Sequence, residues 1–387
     1  MKEEIIKHLT LIEEDICDIA KYLYDYPEDS FCEHKAYEYL TNILKNNDFK
    51  IEENYLDMPT AFMAQYGEGH PKICYICEYD CICRDGHILG TNLVPAMSIG
   101  AALGLSKIIP KTHGSVVVIG CPGEFLSGSK VVMAKQGVFN DIDAVLMVQP
   151  NVINANCYTS PAVLPVKITY RCNKASGCTE NNAYSAFDAC LFTLNSINTI
   201  VKGYSKECSI DRISINGDLA PNVLTNNIES SFTIKAPNLT LAEEIKSKLE
   251  KLAYGLKDLM NIDSQVSLAG APYENLISNK TLCRLFSHNL KEQGIIELDD
   301  EVNVPHGLSL GNVSHIVPTL RFLIKITEDD SIKFASQEFA KATLSSFAKE
   351  KMMSAIKALA FTGLDLMSQE ALISEAKLEL SQYNKKH

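Results

Sequence analysis

The 387-residue sequence predicts an α/β protein with a second, smaller α+β domain, and three observations carry that expectation. Short apolar runs alternate with helical-period segments through the first part of the chain, the pattern of a sheet covered on both faces. From Pro165 the texture changes to half-exposed, alternating strands separated by amphipathic helices. Their β-α-β-β-α-β order is ferredoxin-like. Beyond residue 280 the helix–strand–helix texture of the first part returns.

Taken in order, Ile5, Ile6, Leu9, Ile12, Ile16, Ile19 and Leu23 recur at helical spacing, with Pro27 beyond the end, so one N-terminal helix is expected. A second helix covers 36–45. Strands are expected at 61–66, 73–77, 116–120 and 144–148, and small residues make a helix of 96–105. In the second texture, strands fall at 166–170, 210–215 and 228–234, with helices at 183–199 and 241–259. A helix at 280–293, a strand at 319–326 and two helices reaching 382 complete the chain.

Composition narrows the class of function. A formal net charge of −12 argues against nucleic acid or an anionic membrane as partner, since both attract basic patches. No apolar run is long enough to span a bilayer, and the N-terminus carries no signal-peptide core, so a cytoplasmic location is expected. Thirteen cysteines without framework spacing read as reduced thiols. A length of 387 suits two domains, or one with an inserted module.

Four motifs carry the chemistry. Glu78-Tyr79-Asp80 is followed by Gly86-His87-Ile88-Leu89-Gly90-Thr91-Asn92, then Gly120-Cys121-Pro122-Gly123-Glu124-Phe125. Asp143-Ala144-Val145-Leu146-Met147-Val148-Gln149-Pro150 comes next, and Gly311-Asn312-Val313-Ser314-His315-Ile316-Val317-Pro318 lies near the C-terminus. In this order they resemble metallopeptidase family 20, in the branch of aminobenzoyl-glutamate hydrolase, β-alanyl-lysine dipeptidase and the auxin-conjugate hydrolases.

That resemblance implies a zinc-peptidase-like catalytic domain (1–164 and 271–387), with a mixed sheet flanked by helices. It also implies an inserted dimerisation lid (165–270) and a homodimer. The family uses two divalent metal ions, held by a Cys, three His and a Glu. Here those five places fall on Leu89, Thr91, Phe125, Gln149 and Phe334 or Ala335, none of them a normal zinc ligand. No bound metal is therefore expected. Leu89 and Phe125 suggest a cavity refilled with apolar atoms.

Glu124 matches the family's general base and is the candidate acid/base. The resemblance adds Thr91, Asn92, Gln149, Asn222, Asn312 and His315 as the candidate ligand pocket. Of these, Asn222 matches the lid residue that reaches a partner subunit. The family's lid His should lie near Ala175 or Ser176 and has no counterpart, and a late Arg is matched by Lys235, which lacks the bidentate fork. Cys77, Cys81 and Cys83 with Asp80 and His87 are the densest set of other potential ligands, but their spacing is not a standard zinc spacing. Cys121 near Glu124 could suit a nucleophile beside a base.

Two readings follow. In the first, the cleft holds an N-acyl amino acid or a dipeptide-like molecule without ordinary metallohydrolase activity. In the second, Glu124 supports metal-independent hydrolysis, acyl transfer or isomerisation.

Overall fold

The computed structural model describes residues 1–82, 84–156, 158–172, 184–217, 226–299 and 302–386. Twelve strands lie among them: β1 (Lys50–Glu53), β2 (Phe62–Glu68), β3 (Lys72–Cys77), β4 (Gly114–Gly120), β5 (Ala144–Asn151), β6 (Tyr158–Thr159), β7 (Ala162–Cys172), β8 (Ser209–Gly217), β9 (Asn227–Ala236), β10 (Ile262–Leu268), β11 (Val302–Asn303) and β12 (Thr319–Lys325). The chain divides into two compact units. The first comprises Met1–Thr159, Ile277–Asn303 and Asn312–His387; the second comprises Ser160–Leu276 and Val304–Gly311.

The first unit is built on a six-stranded mixed sheet of order β1-β2-β4-β3-β5-β12. The pairs β3/β4, β3/β5 and β5/β12 are parallel, whereas β1/β2 and β2/β4 are antiparallel. Every residue of β4 is buried, which is why its Val and Ile run shows no alternation. One sheet face (Tyr75, Val116, Val118, Leu146, Leu320, Phe322) packs into a large core. The helix Leu93–Ser106 is buried at all of its positions, as its apolar circumference requires. Gly100 and Gly104 let other helices come close: an added Cβ would stand 3.0–3.2 Å from Ile356 and Ile16, and 3.2 Å from Ile5 and Leu9.

The single N-terminal helix expected from periodicity is two helices, Lys2–Leu11 and Glu13–Asp25, broken at Ile12 (φ −106°, ψ 15°). The break redirects the chain so that Ile5 and Leu9, and then Ile16, all reach the same small-residue helix. β1 is also additional to the expected elements. Its Lys-Ile-Glu-Glu sequence sits on a sheet edge and has no apolar pattern to read.

The second unit has the order β7, helix Ala186–Val201, β8, β9, helix Leu239–Met260, β10, and forms an antiparallel sheet β10-β7-β9-β8. Leu164, Val166, Ile168 and Tyr170 alternate inward against Ile245, Leu249 and Leu256. Ser185 and Asp188 close a capping box at the first helix, satisfying otherwise orphaned backbone N–H groups. Besides Ser160–Leu276, this unit includes the later segment Val304–Gly311. Gly307 lies so close to Val163 that an added Cβ would meet it at 2.3 Å, and Gly311 approaches the Glu274 carbonyl equally tightly.

Candidate functional site

The parallel strands β3, β4 and β5 end together, and the chemistry-bearing loops leave from those ends, where ligands bind in open α/β sheets. At the centre is Lys130, on the short helix Ser129–Lys135. It is fully buried, and its Nζ lies 2.7 Å from Glu78 Oε1 and 2.7 Å from Glu124 Oε2. The two carboxylates hold the ammonium charged against the opposing effect of burial, and its pKa is raised. Beside the cluster, Asp80 accepts hydrogen bonds from Ser30 Oγ at 2.6 Å and from the Phe125 backbone N–H at 3.1 Å. Its other oxygen is buried without a protein donor among the described residues. Burial pushes the Asp80 carboxyl up to about 7 against those two hydrogen bonds, and the Glu124 and Glu33 charges add to the rise.

Glu33 completes the buried acid set. It accepts from the Phe31 and Gly123 backbone N–H groups at 2.8 and 2.9 Å and from Thr60 Oγ1 at 2.8 Å. Gly123 has φ +75°, and its hydrogen lies against the Phe31 ring, where a Cβ would be 2.3 Å away. This position needs glycine, and it sets the direction in which Glu124 leaves the turn.

The structure locates the five places that the resemblance assigns to metal ligands. Leu89 is half-buried, and its backbone carbonyl accepts from Gln149 Nε2 at 2.9 Å. Thr91 Oγ1 donates to the Asp80 carbonyl at 2.9 Å and lies 2.7 Å from His87 Nδ1. Gln149 Oε1 accepts from Arg321 Nη2 at 3.3 Å. Phe125 and Ala335 are exposed. The expected apolar refilling is corrected at Phe125, which is 37% exposed, while the buried ground nearby holds the Lys130–Glu78–Glu124 ion cluster. An amide, a hydroxyl and three carbon side chains do not make the donor set of a dinuclear centre. Among the described residues, no group of three or more His, Cys, Asp and Glu is arranged to hold a metal ion.

Other candidates divide between fold and site. Asn92 is fully buried and donates to the Ala20 carbonyl and to Thr343 Oγ1, tying the loop to neighbouring helices. His87 is buried, and burial lowers its imidazole to about 4 against a Leu23 backbone contact, so it is neutral. Asn312 and His315 are half-buried; the His315 carbonyl accepts from Asn384 at 3.0 Å and its ring meets Tyr383 edge-on.

Cys77 and Cys81 are buried, and burial drives the Cys77 thiol well up. Burial likewise pushes Cys121 up to about 12, which favours its thiol form. Cys83, Ala175, Ser176 and Asn222 lie outside the described residues. Lys235 is ion-paired with Asp211 at 2.6 Å within the second unit.

Lys130 and Arg321 are not among the sequence candidates, although both carry a readable signal. Each is a charge inside an apolar run, Val131-Val132-Met133 following one and Leu320, Phe322 and Leu323 flanking the other. A charge in such a place is buried, and so has to be paired or used.

No family model matches the chain. Among curated proteins it is 26% identical over 381 residues to mouse Xaa-Arg dipeptidase, covering 93% of this chain and 88% of the relative. It is 25% identical to the human Xaa-Arg dipeptidase, covering 92% and 86%. It is also 26% identical over 309 residues to one of the subunits of the p-aminobenzoyl-glutamate hydrolase from Escherichia coli, covering 73% and 63%.

Solved structures share the fold. The aminobenzoyl-glutamate utilization protein of Klebsiella pneumoniae superposes with a TM-score of 0.73 at 11% identity, covering 94% of this chain and 98% of that one. A dinuclear metal-binding peptidase of family 20 from Bacillus subtilis gives 0.65 at 13% identity, covering 90% and 98%. The similarity to the two dipeptidases runs along nearly the whole chain, and the solved structures share its α/β fold.

Proposed function

We propose that this protein is a family 20 amidohydrolase relative whose cleft binds an N-acyl amino acid or dipeptide-like molecule without a dinuclear metal centre. The observation that carries the reading is the set of side chains at the five ligand places: Leu89, Thr91, Phe125, Gln149 and Ala335. Two of them are also committed elsewhere, Thr91 to His87 and Asp80, and Gln149 to Leu89 and Arg321. The relatives named for Xaa-Arg dipeptides and for p-aminobenzoyl-glutamate indicate ligands with a free carboxylate and an amide bond. A homodimer through the second unit belongs to the same proposal, as does a location in the cytoplasm.

The second reading, catalysis without metal through Glu124, has less support. The Lys130 ammonium already engages a Glu124 oxygen at 2.7 Å, and removing a proton from water there would first have to weaken that pair. If the site performs acid chemistry, Asp80 is the better-placed group, since a carboxyl near 7 carries a transferable proton at neutral pH. Elemental analysis of the purified protein, before and after chelation, tests the main reading. Less than about 0.1 equivalent of zinc, manganese or cobalt is expected; two equivalents lost on chelation with loss of turnover would overturn it.

A further inference from the structure

We propose that Arg321 is the anchor for the ligand's carboxylate, an inference that rests on the cleft-binding reading above and names the chemical group it recognises. Arg321 stands on β12, where it pairs in register with Met147 of β5, and Leu323 pairs with Gln149. Side chains at these positions share one sheet face, so the guanidinium lies beside Gln149, a place where the family would put a metal-ligating His.

Arg321 is buried (5% exposed), yet among the described residues it has no carboxylate partner, and its Nε and Nη1 have no protein acceptor. A cation removed from water is costly unless it is paired. The contrast with Lys130 is direct, because that ammonium sits 2.7 Å from two carboxylates. What Arg321 does have is the face of the Tyr158 ring at 5.4 Å and one hydrogen bond to the Gln149 amide oxygen at 3.3 Å. That bond is longer than the usual N–H···O range, and its acceptor is neutral. A carboxylate offers a shorter, charge-assisted bond and displaces the amide oxygen from Nη2.

Gln149 also donates to the Leu89 carbonyl, so its displacement would reach the loop that carries Thr91. The chemistry recognised is a carboxylate, and an arginine suits it better than a lysine because the planar guanidinium can present two parallel donors. Lys235, the residue matching the family's late Arg, is meanwhile paired with Asp211.

The test compares wild type with Arg321→Met and Arg321→Lys, using the dipeptide Ala-Arg, its C-terminal amide and acetate as probes. Calorimetry on wild type should show the dipeptide binding at least ~10-fold tighter than its amide. Arg321→Met should lose about 10- to 100-fold in dipeptide affinity and erase the preference over the amide. Arg321→Lys should fall between the two. Acetate should raise the melting temperature of wild type but not of Arg321→Met.

Without ligand, Arg321→Met should melt at or above wild type, since it removes an unpaired buried charge. Retained dipeptide affinity and preference in Arg321→Met would overturn the inference and leave the cleft-binding reading standing. A ligand-free Arg321→Met that melts well below wild type would also overturn it, by showing that the fold itself uses the charge. Acetate protection that depends on Arg321, without any dipeptide binding, would uphold the anchor and overturn the proposed ligand. A wild type that responds to none of the three probes would overturn both.

Discussion

Replacing Lys130 by Met is the sharpest probe of the buried cluster, because methionine keeps most of the side-chain volume and removes only the charge. In the wild type one ammonium serves two carboxylates, Glu78 and Glu124, each 2.7 Å away, and the lysine and Glu78 are sealed from solvent. Deleting one member of a buried ion pair typically costs ~3–5 kcal/mol, because the partner charge is left behind without water. Two carboxylates are left behind here, so the upper part of that range is expected at neutral pH. For a unit of this size, each kcal/mol moves the melting temperature by about 2–4 °C, which places the drop on the order of 10 °C or more.

The penalty should depend on pH in a definite direction. With the cation gone, two carboxylates are left out of water beside each other, which disfavours their charged forms in the folded mutant. Its deficit should therefore shrink on acidification. Thermal melts of wild type and Lys130→Met at pH 8 and pH 5 should therefore converge on acidification. Adding Glu124→Gln to Lys130→Met should restore part of the loss at pH 8, a coupling that a double-mutant cycle reads directly. A Lys130→Met protein that melts within a degree or two of wild type at both pH values would refute the paired-cluster argument.

Two further outcomes follow from particular groups. Asp80 is held up at about 7, so its ionisation opposes folding above that pH and contributes nothing below the ordinary carboxylate range. A displacement of that size corresponds to ~4 kcal/mol at most. Asp80→Asn should accordingly gain stability relative to wild type at pH 8, by a few kcal/mol at most, with the gain fading as pH falls from about 7 to 4; an unchanged difference across that window would count against a desolvated carboxyl. In the second unit, β8 is an edge strand with Ile213 (51% exposed) and Ile215 (38%) facing solvent, a surface that natural sheets usually cover or blunt. The proposed homodimer should therefore fall to a monomer in light scattering when both are changed to Lys, and a wild-type monomer would remove the dimer from the proposal.

The scaffold was legible in the sequence because it is written in periodicity. Val116, Val118 and their neighbours announce a strand buried on both faces, and the alternation of Val166, Ile168 and Tyr170 announces one buried on a single face. β1 carried no such mark, since an edge strand with Glu52 and Glu53 buries almost nothing. The break at Ile12 was hidden for the opposite reason: the apolar period continues across it, and only the need to follow Gly100 and Gly104 bends the chain. The site was legible by position and not by content. Motif register located Leu89, Thr91, Phe125 and Gln149, but the groups they meet come from distant segments, with Arg321 arriving on β12 and Ser30 from before the first strand. Sequence spacing cannot reveal a partner 172 residues away.

The two buried cations explain how this scaffold can gather four acids around the places that the resemblance assigns to metal ligands, where it carries Leu, Thr, Phe, Gln and Ala. Glu33, Glu78, Asp80 and Glu124 lie within one buried region, and like charges brought together out of water repel strongly. Such a group has to be neutralised by counter-cations or by protons, and this chain uses both. Lys130 balances Glu78 and Glu124 directly, and Asp80 is pushed to where it takes up a proton near neutrality. The Lys130 charge is thereby spent inside the cluster and faces no solvent, which leaves Arg321, among the described residues, as the buried cation whose interactions are unfilled. The division decides what substitutions should do. Removing Lys130 exposes the acids to one another and should weaken the fold, whereas removing Arg321 takes away a charge that no acid among the described residues needs and should weaken recognition instead.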